Sequence, residues 1–184
     1  MKVKAAGIDL AGSPKNPTGY CILSETNGKK TVETSILHSD EEIIKKLGDD
    51  KPSLVAIDAP LTFDGRDREC DRLLKNYGAL PPTLPGMSVL ARRGTELSRR
   101  LSTSFKVIEV YSTASAKILG VYHKDEFAFQ KKVMSLDLDG DVNSRFLSRD
   151  ELDAVVAAIT AYLHLDGQTN AVGGGDGVIV IPNV

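Results

Sequence analysis

Four aspartates interrupt hydrophobic patterns in this 184-residue chain. Asp9 closes the apolar run that begins at Val3, Asp58 closes "LVAI" at 54–57, and a Gly- or Pro-containing turn follows each. Asp150 and Asp153 open the helix-like stretch "RDELDAVVAAITAYLH". A carboxylate buried without a partner is costly. Each strand aspartate, taken alone, has an ordinary role, capping its own loop by accepting backbone N–H bonds. Asp150 has one too, because acids are favoured in a helix's first turn. Asp153 lies deeper. At about 100° per residue, it shares an arc with Asp150, Ala154, Ala157, Thr160, Ala161 and His164. Leu152, Val155, Val156, Ile159, Tyr162 and Leu163 form a separate apolar arc. Alanines let another backbone approach closely, so Asp153 is expected to face that backbone; the plain alternative is a solvated helix acid. Acids converging from two strands and one helix would suit hard cations, since Mg²⁺ takes oxygen ligands. Two such ions about 3.5–4 Å apart activate water and stabilise the leaving oxygen in phosphodiester cleavage. The expected catalytic set is Asp9, Asp58 and Asp153. With Asp150 they form the expected ligand set for Mg²⁺ or Mn²⁺, two ions in all.

Basic residues could hold a phosphate backbone. Arg92, Arg93, Arg99 and Arg100 fall within an arc of roughly 120° on the helical wheel of 88–102, opposite Leu90, Leu97 and Leu101. They could track phosphates, or form a solvated helix face. Arg66, Arg68 and Arg72 surround Cys70, and Arg66 is close in sequence to the loop that Asp58 opens. No aromatic residue interleaves with the arginines of 88–102, so no base-stacking platform is visible there. Net charge is −2, so a nucleic-acid surface would have to be local.

Elements that could position these groups are legible. Residues 3–10, 18–24 and 31–38 read as strands, with Asn27-Gly28 a hairpin turn. Ser39 with Glu42, and Ser148 with Glu151, are capping boxes that open helices. The first is expected to end near Gly48 after Lys45 and Lys46. "LVAIDAP" reads as a buried parallel strand, 88–102 as a helix, and "KVIEVY" as a fifth strand. Shorter helices are expected near 115–119 and 125–134. "SLDLDGDVNS" reads as a polar loop and "GGGDGVIVIP" as a turn and closing edge strand. Counted from Asp137, positions six and twelve are Val142 and Ser148, which rules out an EF-hand. "GGGDG" is followed by neither Lys-Ser/Thr nor a helix, so it is no phosphate loop. Two cysteines suggest no disulfide framework. No apolar run reaches membrane-span length, and the start of the chain lacks a signal-peptide layout. The cytoplasm is the expected location, with no membrane partner.

"GIDLAGSPKNPTGYCIL", "LVAIDAP" and "RDELDAVVAAITAYLH" resemble, in order and spacing, the active-site segments of RNase H-fold nucleases. The nearest pattern is that of RuvC-type Holliday junction resolvases, with G-I-D-P-G-x-x-x-T-G in the first strand and D-x-x-D in the last helix. That resemblance implies Asp9, Asp58, Asp150 and Asp153 as metal-binding acids. The resolvases carry Glu where this chain has the shorter Asp58. "IDAPL", "RECDRLLKNYG", "EVYSTAS", "DELDAVVAAITAYLH" and "DGVIVIP" resemble the domain of unknown function 429 family, described as predicted RNase H-like nucleases. An acid recurs in that family's "E-V-Y/H-P" segment. Glu109 stands there, a secondary site candidate or a plain ion-pair member, and Ser112 replaces the proline.

The implied fold is α/β and RNase H-like, with a mixed central sheet, an antiparallel three-strand meander and helices on both faces. It would be one domain over 1–184 with a helical insertion at about 64–105. The implied function is a metal-dependent nuclease acting on DNA or RNA; resolvase-like activity would require a homodimer. Two other functions fit the residues. A small phosphotransferase or ATPase of the sugar-kinase and actin superfamily shares the core, though 184 residues scarcely provide its two domains. A non-catalytic binding module would keep the fold with its acids spent on caps and ion pairs.

Overall fold

A computed structural model describes residues 3–184. One eight-stranded sheet runs through the molecule in the order β6-β3-β2-β1-β4-β5-β8-β7. The meander is β1 (Val3–Asp9), β2 (Thr18–Thr26) and β3 (Lys29–Leu37), paired antiparallel. Asn27 and Gly28 both have positive φ, 54° and 81°. A two-residue turn matching the strand twist requires this, and it selects Asn-Gly. Helix α1 (Asp40–Asp50) leads to β4 (Leu54–Asp58), parallel to β1. Next come α2 (Glu69–Leu73), a 3-10 turn (Lys75–Tyr77) and α3 (Pro85–Leu101), which delivers β5 (Val107–Val110) parallel to β4. The segment 64–105 thus contains the crossover helix between two parallel strands. Then follow α4 (Ser112–Ile118), α5 (Glu126–Met134), β6 (Leu138–Gly140), α6 (Asp141–Ser144), α7 (Arg149–Leu165), β7 (Thr169–Gly174) and β8 (Gly177–Pro182).

Strand alternation sorts the core into two layers. Ala6, Ile8, Tyr20, Ile22, Val55 and Ile57 bury one face against Ile43 and Leu47 of α1 and Leu97 and Leu101 of α3. Ala5, Leu54 and Ala56 pack on the other face with Ala157 and Ala161 of α7. Cys21, Leu23 and Val32 meet Leu152, Val155 and Ile159 of the same helix. Helices therefore cover both faces of a mixed sheet. Among the described residues, no helix is long and apolar enough to cross a membrane.

Several expectations need correction. Helix α1 runs through Gly48 to Asp50 and is closed by Lys51 in the left-handed conformation. Helix α3 starts at Pro85, inside the stiff loop, because a proline at the first helical position needs no N–H partner. The polar stretch 135–144 contains β6, which pairs parallel to β3, and the one-turn α6. Strand β8 is not an edge, since it lies between β5 and β7. The true edge, β7, carries "TNAVGG", whose weak strand character is overridden by antiparallel pairing along β8.

Candidate metal centre

Asp9 and Asp58 end adjacent parallel strands and are direct partners across them. On its other side Asp9 is paired with Gly19 of β2. Two residues before Asp9, and therefore on the same sheet face, is Gly7. These glycines decide where α7 lies. A β-carbon on Gly7 would collide with the Ala154 carbonyl oxygen and the Ala158 nitrogen; one on Gly19 would collide with the Asp150 carbonyl. The helix backbone rests directly on the sheet, which places Asp150 and Asp153 beside Asp9. A complete capping box holds the helix start. Ser148 Oγ accepts from the Glu151 N–H at 3.3 Å, and Glu151 Oε2 accepts from the Ser148 N–H at 3.0 Å. The other Glu151 oxygen accepts from Thr34 Oγ1 at 2.8 Å and Arg145 at 2.6 Å, tying α7 to β3.

Among the described residues no three of these acids bring oxygens within 4.8 Å of one another, but their charges act on each other across the site. Burial pushes the Asp9 carboxyl well above its ordinary range, Asp58, Asp153 and Asp150 push it further, and Arg149 pulls it back. Burial, then Asp153, raises Asp58 to about 7, against the lowering effect of Ser112. The Ser112 N–H donates to Asp58 Oδ2 at 3.1 Å, and its hydroxyl donates to the Asp153 carbonyl at 3.0 Å. A proline at position 112 would supply neither donor. Burial also raises Asp153. Its Oδ2 accepts from Arg149 Nε at 2.8 Å, while Oδ1 is buried with no hydrogen-bond partner. Burial, then Glu126 and Glu151, raises the more open Asp150. These carboxylates, one with an orphaned oxygen, are hard-oxygen donors of the kind a divalent cation takes, and they would have to draw closer to share one ion.

Glu109 does not join them. It is paired in register with Ile57, one residue out of phase with Asp58, so it emerges on the opposite sheet face. There Arg68 grips both its oxygens at 2.6 and 2.8 Å, and the Leu61 N–H adds a third bond at 2.8 Å. Arg68 also holds Asp71, at 2.8 and 2.9 Å. Donor atoms of Cys70, Asp71 and Glu109 lie within 4.8 Å of one another, all in buried residues. The Arg68 guanidinium is already hydrogen-bonded to both acids, so this group is an ion-pair network. Arg68→Met leaves Asp71 and Glu109 unpaired and is expected to cost about 3–5 kcal/mol in urea unfolding. Burial already raises the Glu109 carboxyl, and without Arg68 its ionisation costs more stability as pH rises, so the variant recovers on acidification.

The expected substrate arginines separate. Helix α3 packs on the sheet face opposite the acids. Its early turns reach the sheet end where Asp9 stops, since Gly12 lies against Leu90. Arg92 sits there, its guanidinium 5.9 Å from the Phe63 ring centre. Arg93 is spent on the fold, donating to the Ala11 and His38 carbonyls at 2.6 and 2.7 Å and to Asp40 at 3.0 Å. Arg99 pairs with Glu96, and Arg100 with Glu41 and Asp40, about two turns further along. Arg66 pairs with the exposed Asp64. Sequence reasoning missed Gly7, Gly19, Ser112 and Arg149. Arg149 had a readable signal, standing four residues before Asp153 on one helix. The glycines had a weaker one, since Gly7 shares Asp9's face by alternation.

No family model matches the chain, and no curated protein matches it. The likeness to the domain of unknown function 429 family therefore rests on its five sequence segments. Among solved structures, the RuvC of Thermus thermophilus is similar, with a TM-score of 0.55 and 14% identity. The alignment covers 91% of this chain and 97% of that one. The fold is RNase H-like.

Proposed function

We propose that the chain is a divalent-metal-dependent nuclease that hydrolyses phosphodiester bonds of nucleic acid. The observation that carries this reading is the convergence of Asp9, Asp58 and Asp153 at one end of an RNase H-like sheet, with the Asp153 Oδ1 unpartnered. The similarity to a RuvC supports it. Asp9, Asp58 and Asp153 would hold Mg²⁺ or Mn²⁺, with Asp150 at the more open side. When bound, the cation supplies the electrophilic charge and water activation that phosphodiester hydrolysis needs. Ser112 fixes the rotamer of Asp58 and, through the Asp153 carbonyl, the seat of α7. Asp58, whose carboxyl burial pushes up to about 7, would have to be ionised to serve as a ligand. Arg92, stacked on Phe63 beyond β4, is the basic residue left to meet a phosphate backbone passing that end of the sheet.

The test is cleavage of labelled single-stranded, duplex and four-way-junction DNA and of RNA in Mn²⁺. Asp9→Asn is expected to lose at least ~100-fold in rate, as loss of a metal ligand should exceed loss of an outer partner. Equal cleavage by both proteins would end this reading. One preferred substrate among the four would identify the substrate class, and sedimentation of that complex would report a dimer.

A further inference from the structure

We infer that Arg149 is a built-in cation standing in for a second metal ion, so that each chain binds one divalent ion and not two. The inference rests on the metal-dependent reading above and revises its expected stoichiometry.

Arg149 is clamped in place. Its Nε donates to Asp153 Oδ2 at 2.8 Å and its Nη1 to the His123 carbonyl at 2.9 Å. The guanidinium carbon lies 4.6 Å from the centre of the buried Phe129 ring and 5.4 Å from that of Tyr122. Arginine stacks on aromatic faces with little loss of hydrogen bonding, so two rings, a carbonyl and a carboxylate hold the charge together. The entropy of ordering a long side chain is lost on folding, before any ligand arrives.

This clamp divides Asp153. One oxygen is committed to the guanidinium and the other is free. Asp153 can give a metal one oxygen only. Charge leads to the same number. Ionised Asp9, Asp58 and Asp153 carry three negative charges and Arg149 one positive. A single divalent ion brings that group to neutrality. A second would leave an excess of two positive charges on partly buried groups, where an uncompensated charge is costly. Asp150, more open and near Glu126, is the remaining acid and by itself a weak ligand set.

The experiment counts Mn²⁺ on the full-length chain at pH 8, by electron paramagnetic resonance of the free ion and by calorimetry. Wild type is expected to bind one ion. Arg149→Gln removes the charge and frees the Asp153 oxygen. It is expected to bind two, the first about ten-fold tighter than wild type or more. Arg149→Lys keeps the charge and is expected to stay at one. Two ions of comparable affinity on wild type overturn the inference and leave the nuclease reading standing. Arg149→Gln holding one ion, no tighter than wild type, also overturns it, by making Arg149 only a positioning residue for Asp153. No Mn²⁺ on wild type overturns both readings. If Arg149→Gln does not fold, wild type and Arg149→Lys decide, since two ions on either overturns the inference.

Discussion

In EDTA at pH 8, Asp9→Asn is expected to melt roughly 5–10 °C above the wild-type chain while losing its response to Mn²⁺. Asp9, Asp58 and Asp153 are each held above their ordinary carboxyl range, chiefly by burial. An acid whose folded pKa is raised binds more protons folded than unfolded. Its penalty is absent below the unfolded value and grows as pH rises towards the folded one. For Asp58 that window runs from 3.8 to about 7, a penalty on the order of 4 kcal/mol once complete. The metal-free wild type should therefore be less stable at pH 8 than at pH 5. Asparagine removes one charge and eases the ionisation of Asp58 beside it. Mn²⁺ at a hundred times its dissociation constant should restore about 2.7 kcal/mol to wild type and nothing to the variant. A wild-type melting temperature that is flat from pH 5 to 8 in EDTA would show that the carboxyls are not strained together.

Gly19→Ala is expected to be among the most damaging single methyl additions in the chain. The new carbon would fall on the Asp150 carbonyl, and the Glu151 nitrogen is 3.0 Å away. Backbone cannot rotate aside as a side chain can, so α7 must lift off β2. Overpacking of this kind costs about 3 kcal/mol or more, a fall in melting temperature of roughly 6–12 °C. The lift also withdraws Asp150 and Asp153 from Asp9, so the Mn²⁺ response should disappear even where the variant is folded. Gly48→Ala is the control. Gly48 lies inside α1 with nothing within 4 Å of its added carbon, and it should gain about 0.5–1 kcal/mol. Equal melting temperatures for Gly19→Ala and wild type, with an unchanged Mn²⁺ response, would mean that the helix is not seated on these glycines.

Local rules made much of the architecture legible in the sequence. The Asn27-Gly28 turn, the Ser148 capping box, the period-two meander and the alanine arc of α7 are all short-range patterns, and each specifies an element directly. The odd placement of Asp9 and Asp58 after apolar runs was legible for the same reason, because burying a carboxylate is costly wherever the strand goes. Partnership was not legible. Whether Glu109 sits with Asp58 depends on strand register, where a shift of one residue moves a side chain to the other sheet face. Whether Arg93, Arg68 and Arg149 are free or spent depends on acids and carbonyls brought in from remote segments. The β7 edge exists because β8 pairs with it, against its own weak propensity. The sequence by itself determined the meander, the buried parallel strands and the capped helices, and it marked the acids as out of place. Only tertiary packing decided which acids share a face, through two glycines that let a helix backbone touch the sheet.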